Sequence, residues 1–143
     1  MKTKFGIVGC GFLGNIVADA WKNGLLPDYE LVGMTSRTRA SAEKTAETVG
    51  CAVCDDVDAL LALEPEYIVE TASVEAVRAM AVPVLKKGVN LVIISIGAFA
   101  DCYFLLIYLP NQTRWIVLIY TYFCTQTVPH LFMRTGISKS GRI

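Results

Sequence analysis

The chain has 143 residues, enough for one domain, and its 13 Lys and Arg balance its 13 Asp and Glu. A formal net charge of zero leaves no basic footprint for nucleic acid. Hydrophobic content is 54% and the mean hydropathy is +0.48, yet the longest apolar stretches, Phe104–Leu109 and Trp115–Cys124, fall well short of the ~20 residues that span a bilayer.

The N-terminus enters a short apolar run, Phe5, Ile7 and Val8, after two lysines, with no signal-peptide pattern, so a cytoplasmic location is expected. The run reads as a buried strand. Gly9, Gly11 and Gly14 follow with G-x-G-x-x-G spacing, and an amphipathic helix begins at Phe12. Strand, glycine turn and helix in that order form a dinucleotide-binding fingerprint. The first glycine makes the turn, the second admits a pyrophosphate, and the third lets helix and strand pack closely. The stretch Gly9, Cys10, Gly11, Phe12, Leu13 and Gly14 is therefore the expected pyrophosphate loop, with helix N–H groups facing the phosphates.

The helix is predicted over residues 12–23, with Leu13, Ile16, Val17, Ala20 and Trp21 on one apolar face. Gly24 caps it and Pro27 stops its resumption. A second strand is expected over 30–35, followed by the loop Ser36-Arg37-Thr38-Arg39. An acid here would bind the ribose 2′-hydroxyl of NAD. Ser36, Arg37 and Arg39, with no acid before Glu43, instead suit the 2′-phosphate of NADP, so NADP is favoured over NAD.

A helix is expected over 40–49, its inner face Ala42, Ala46 and Val49, ended by Gly50. A short third strand follows over 51–54, then a small helix over 57–63 capped by Asp55-Asp56. The acids Asp55, Asp56 and Asp58 suit a helix start better than a metal site, and no metal is expected. The five cysteines are odd in number, and Cys51 and Cys54 have C-x-x-C spacing without a second pair. They read as small buried strand residues, with neither disulfide framework nor zinc site.

Residues 66–71 read as the fourth strand and Ser73 as an N-cap. Val74, Val77, Ala81, Val84 and Leu85 mark one face of the following helix, which Pro83 is expected to kink or split. Residues 90–94 form a fifth, wholly covered strand. Alternating strands and helices give an α/β fold, a Rossmann-type doubly wound parallel sheet. Ligands in such sheets bind beyond the strands' carboxyl ends, which gathers the glycine loop, Ala72 and Ser73 after strand four, and Ser95, Gly97 and Ala98 after strand five. The last two groups are small enough to admit a nicotinamide ribose.

Three segments resemble the aspartate dehydrogenases: Gly6-Ile7-Val8-Gly9-Cys10-Gly11, the run Val69 to Val77, and Leu91 to Asp101 with its Ser95-Ile96-Gly97-Ala98 turn. The resemblance implies an oxidoreductase that oxidises the amine of L-aspartate to iminoaspartate and passes a hydride to NAD or NADP, feeding NAD biosynthesis. It covers roughly residues 2–104 and implies an NAD(P)-binding domain over 1–103.

After Asp101 the composition changes. No Asp or Glu follows, and eight aromatics crowd in. Residues 104–143 read as an atypical, aromatic-rich tail standing in place of a second domain, the pattern of a truncated or frame-shifted gene. His130, the single histidine, lacks the flanks of the family's catalytic segment, so no catalytic residue is assigned. Trp115 to Phe123 is expected either to add an edge strand or to pair with a second copy as a homodimer. The alternative to an active enzyme is a catalytically inactive NAD(P)-binding module.

Overall fold

The computed structural model describes residues 1–100 and 116–118; for residues 99, 100 and 116–118 the description covers the backbone. Among these residues the strands are β1 (Thr3–Val8), β2 (Tyr29–Thr35), β3 (Ala52–Val53), β4 (Tyr67–Glu70), β5 (Asn90–Ile93) and β6 (Ile116–Leu118). They alternate with helices α1 (Phe12–Lys22), α2 (Arg39–Val49), α3 (Val57–Leu61) and α4 (Val74–Lys86), and a 3₁₀ turn covers Ile96–Ala100. The sheet order is β3-β2-β1-β4-β5-β6 with every pairing parallel. This is the Rossmann-type doubly wound sheet, reversing direction of growth between β1 and β4. Ile116–Leu118 adds the edge strand beside β5.

Alternation along the strands divides the core. Phe5 and Ile7 of β1 join Leu31 and Met34 of β2, under Ala18 of α1 and Ala42, Ala46 and Val49 of α2. Val8, Ile68, Leu91 and Ile93 point the other way, against Leu60 of α3 and Val77, Met80, Ala81, Val84 and Leu85 of α4. Leu31 and Met34 are three apart, an odd spacing for one face of a strand. The register explains it: Phe5 pairs with Leu31 and Gly6 with Gly33, so Val32 is an extra residue in β2 and resets the phase.

Gly6 and Gly33 then lie side by side on the α3 face. A Cβ on Gly6 would come within 2.9 Å of Leu60, and one on Gly33 within 2.8 Å of Leu63. Their missing side chains are the socket in which the wholly buried Leu60 sits.

Several helix details differ from expectation. In α1 the buried residues are Gly14 and Ala18, while Leu13 and Ile16 are exposed. The small residues win the inner face because the helix lies close to the sheet beside the glycine turn. Pro83 lies within a continuous α4; it is exposed, and the carbonyl it cannot pair belongs to the exposed Ala79, within reach of water. Both α3 and β3 are shorter than expected, and α2 starts at Arg39 rather than after it. Ser73 caps α4 by accepting from the Ala76 N–H (3.2 Å), Asp56 caps α3 by accepting from Ala59 (2.8 Å), and Gly50 closes α2 at φ +82°. The aromatic tail other than β6, with His130, Cys102 and Cys124, lies outside the described residues.

Candidate nucleotide-binding site

At the carboxyl end of the sheet, three loops converge: the glycine turn after β1, Thr71-Ala72-Ser73 after β4, and the turn after β5. The three glycines of the first loop have different surroundings. Gly9 takes φ +104°, and a Cβ there would lie 2.7 Å from the Ala72 nitrogen. A Cβ on Gly14 would overlap the Gly9 carbonyl oxygen and lie 2.9 Å from the Thr71 hydroxyl. Gly11 has nothing within 4 Å of its Cβ position. Two glycines are thus required by the protein's own packing, whereas Gly11 opens onto free space.

That space adjoins the N-terminus of α1. Gly11 is its N-cap, no side chain caps it, and its first turn carries no acid. By helix geometry the leading N–H groups have no intrahelical acceptor. They and the positive end of the dipole face outward over Gly11, where a Cβ would intrude on an approaching pyrophosphate. The donor set and the space both fit a dinucleotide. Phe12 (80% exposed) and Leu13 (38% exposed) flank the opening. Cys10 is instead turned inward: its Sγ lies 3.6 Å from Met34 Sδ and 3.8 Å from the Thr35 carbonyl, and burial pushes the thiol up.

The loop after β2 begins with half-buried Ser36 and exposed Arg37. Arg39 has left the loop for the first turn of α2, where its guanidinium pairs with Glu43 (2.7 Å) and Asp55. Glu75 is held below the usual carboxylate range by its own backbone N–H, then the Ser73 hydroxyl, with Arg78 and Arg37 adding to the effect. Of the two arginines expected at this rim, Arg39 is already committed to carboxylates.

Thr71 joins the first two loops. Its hydroxyl lies 2.6 Å from the Gly9 carbonyl, to which it donates, and 3.2 Å from that of Val8. The side chain that joins the second and third loops is Glu70, which the sequence reading passed over as part of a strand. It is wholly buried at the end of β4. One oxygen accepts from the Ala72 N–H (2.7 Å) and the Ser95 hydroxyl (2.9 Å), and the other from the Ser95 N–H (3.0 Å). An acid in an otherwise apolar strand was the signal available. Ser73 is occupied as the α4 cap, Ala98 is buried, and Gly97 is exposed with its Cβ position 3.1 Å from Val74.

Burial pushes Cys51 up to about 11 and raises Cys54, with Asp56 adding to the latter. No metal-binding cluster occurs among the described residues, and no helix there is long and apolar enough to cross a membrane.

Comparison with known proteins agrees with this geometry. The family model for "homoserine dehydrogenase, NAD binding domain" matches residues 9–119. The L-aspartate dehydrogenase of Methanococcus maripaludis strain C5 is 35% identical over 98 residues, 68% of this chain and 37% of that protein. The L-aspartate dehydrogenase of Methanothermobacter thermautotrophicus is 38% identical over 97 residues, 67% of this chain and 37% of its own. The match thus spans little more than a third of the length of these relatives. Among solved structures, the myo-inositol dehydrogenase of Lactobacillus casei, in complex with NAD(H) and myo-inositol, superposes with a TM-score of 0.72 at 18% identity, over 82% of this chain and 36% of that one. An oxidoreductase of Thermotoga maritima gives 0.68 at 26% identity, over 81% and 37%. The chain belongs to the family of homoserine dehydrogenase NAD-binding domains, and its Rossmann sheet with a glycine turn open only at Gly11 is an aspartate dehydrogenase-like NAD-binding domain.

Proposed function

We propose that this chain is the cofactor-binding part of an oxidoreductase that acts on the amine of L-aspartate, giving iminoaspartate, with NADP preferred to NAD. The observation that carries the cofactor reading is the contrast among the glycines: Gly9 and Gly14 are filled in by the protein, and Gly11 is left open beside an uncapped helix N-terminus. The names of the relatives support L-aspartate as substrate.

In this reading Gly9, Gly11 and Gly14, with the first turn of α1, bind the pyrophosphate, and Cys10 packs beneath them. Phe12 and Leu13 supply an apolar wall. Ser36 and Arg37 take the ribose 2′-phosphate, and Arg39 lends charge from its place between Glu43 and Asp55. Ala72, Ser73, Ser95 and Gly97 line the nicotinamide side, and Ala98, expected beside them, packs in the core behind. A bound nicotinamide nucleotide supplies the hydride acceptor. The groups needed for aspartate itself, a base for the amine and cations for two carboxylates, are not assigned to residues of this chain. The domain is proposed to run over 1–103, in the cytoplasm.

The second reading is an NAD(P)-binding module without turnover, since the residues brought together at the site account for cofactor contacts alone. Titration of the purified chain with NADPH and NADH, followed by addition of L-aspartate to the NADP-bound form, tests both. Binding with turnover supports the dehydrogenase. Binding without turnover supports the module. Absence of binding to either nucleotide sinks both.

A further inference from the structure

Glu70 is a wholly buried carboxylate in a strand whose preceding inward residue is Ile68. Burying an ion costs several kcal/mol unless its partners compensate, and an apolar side chain would fill a strand position with less penalty. What Glu70 contributes is connection. Its two oxygens accept three hydrogen bonds, all from the loops after β4 and β5: Ala72 N–H, Ser95 N–H and Ser95 Oγ–H. The carboxylate therefore fixes the spacing of those two loops. It does not touch the loop after β2, where the adenosine half of a dinucleotide lies by the carboxyl-end rule. The glycine turn has its own tether, the Thr71 hydroxyl on the Gly9 carbonyl.

We propose that Glu70 is a positioning residue for the nicotinamide half of the cofactor, its buried carboxylate holding the Ala72 and Ser95 loops at the spacing between which the nicotinamide ribose and ring lie. The proposal rests on the reading that the chain binds a nicotinamide dinucleotide. It separates the two halves of that ligand. Glu70→Gln preserves size, but whichever way the amide turns, its NH₂ meets a backbone N–H, of Ala72 or of Ser95. One loop is then released, while Thr71 still holds the pyrophosphate turn. Glu70→Asp keeps the charge and withdraws it by one methylene, which also breaks the span.

The test is calorimetric titration of the full chain and both variants with NADH, NADPH and ADP, which has the adenosine and pyrophosphate but no nicotinamide ribose or ring. The expected result for each variant that folds is a loss of about tenfold in affinity for the dinucleotide that the unaltered chain binds more tightly, with ADP affinity within about twofold. Parallel losses for dinucleotide and ADP, no loss for either, or failure of both variants to fold assign Glu70 to the fold alone and overturn the proposal. An unaltered chain that binds none of the three overturns the cofactor reading and this proposal with it.

Discussion

The hydroxyl of Thr71 donates a 2.6 Å hydrogen bond to the carbonyl of Gly9, across 62 residues of sequence. The bond ties the turn after β1 to the loop after β4, at the point where the sheet changes its direction of growth. Gly9 meets Ala72 in the same contact, and Gly14 closes over it from α1. The glycine turn is thus a packed unit with one open face, and that face is where its helix N-terminus points.

Replacing Thr71 by Val removes the hydroxyl and leaves the Gly9 carbonyl without this donor. The expected cost is about 1–2 kcal/mol, seen as a fall of a few degrees in the melting temperature. Thr71→Ser keeps the donor and is expected to recover most of the loss. An unchanged melting temperature in Thr71→Val would show that the bond contributes nothing net.

The glycines separate stability from binding. Gly14→Ala is expected to destabilise the chain severely, because the new methyl would overlap the Gly9 carbonyl. Gly11→Ala meets no protein atom, and φ −85° is open to alanine, so its melting temperature should stay within about 1 °C of the unaltered chain. Its affinity for NADH and NADPH is nevertheless expected to fall at least about tenfold, since the methyl enters the pyrophosphate's space. Thermal melts paired with nucleotide titrations read both effects.

The order of strands and helices was legible because each apolar run is bounded by a glycine, a proline or a capping residue: Gly24 and Pro27, Gly50, Asp56, Ser73 and Gly88 all stand at element ends. The inner face of α1 was legible only in part: Val17 and Trp21 pack against the core as expected. Periodicity selected the large residues Leu13 and Ile16, whereas closeness to the sheet selected Gly14 and Ala18. Hydrophobic pattern cannot report interhelical or helix–sheet distance. The bulge at Val32 was equally hidden, because it is defined by the partner strand. At the site, the glycine spacing announced the loop, but the commitment of Arg39 to Asp55 and the bonds of Glu70 are contacts between distant segments. Local sequence does not contain them.

The two arginines after β2 should differ in effect. Arg37→Ala is expected to weaken NADPH binding about tenfold and NADH binding by much less, because only NADPH carries the 2′-phosphate. Arg39→Ala is expected to have the smaller effect on NADPH, since Glu43 and Asp55 already offset its charge. Equal losses for both nucleotides in Arg37→Ala would remove the case for a phosphate contact there.

The thiols give the chain an alkaline liability. Burial holds Cys51 protonated up to about 11, against an ordinary value of 9.0, and raises Cys10 and Cys54 in the same direction. The unfolded chain therefore loses these protons first. The contribution to stability is fully present below about pH 9 and is lost as pH rises towards 11, because ionisation then favours the unfolded state. Melting temperatures followed across that window should fall more steeply for the unaltered chain than for Cys51→Ser, whose hydroxyl does not titrate. The same protonation makes the native thiols poor nucleophiles, so iodoacetamide should alkylate Cys10, Cys51 and Cys54 far more slowly in the folded chain than in urea at about pH 8. Rapid native alkylation of Cys51 at that pH would mean that its thiolate is accessible. The C-x-x-C pair would then have to be reconsidered as a reactive site rather than a packed one.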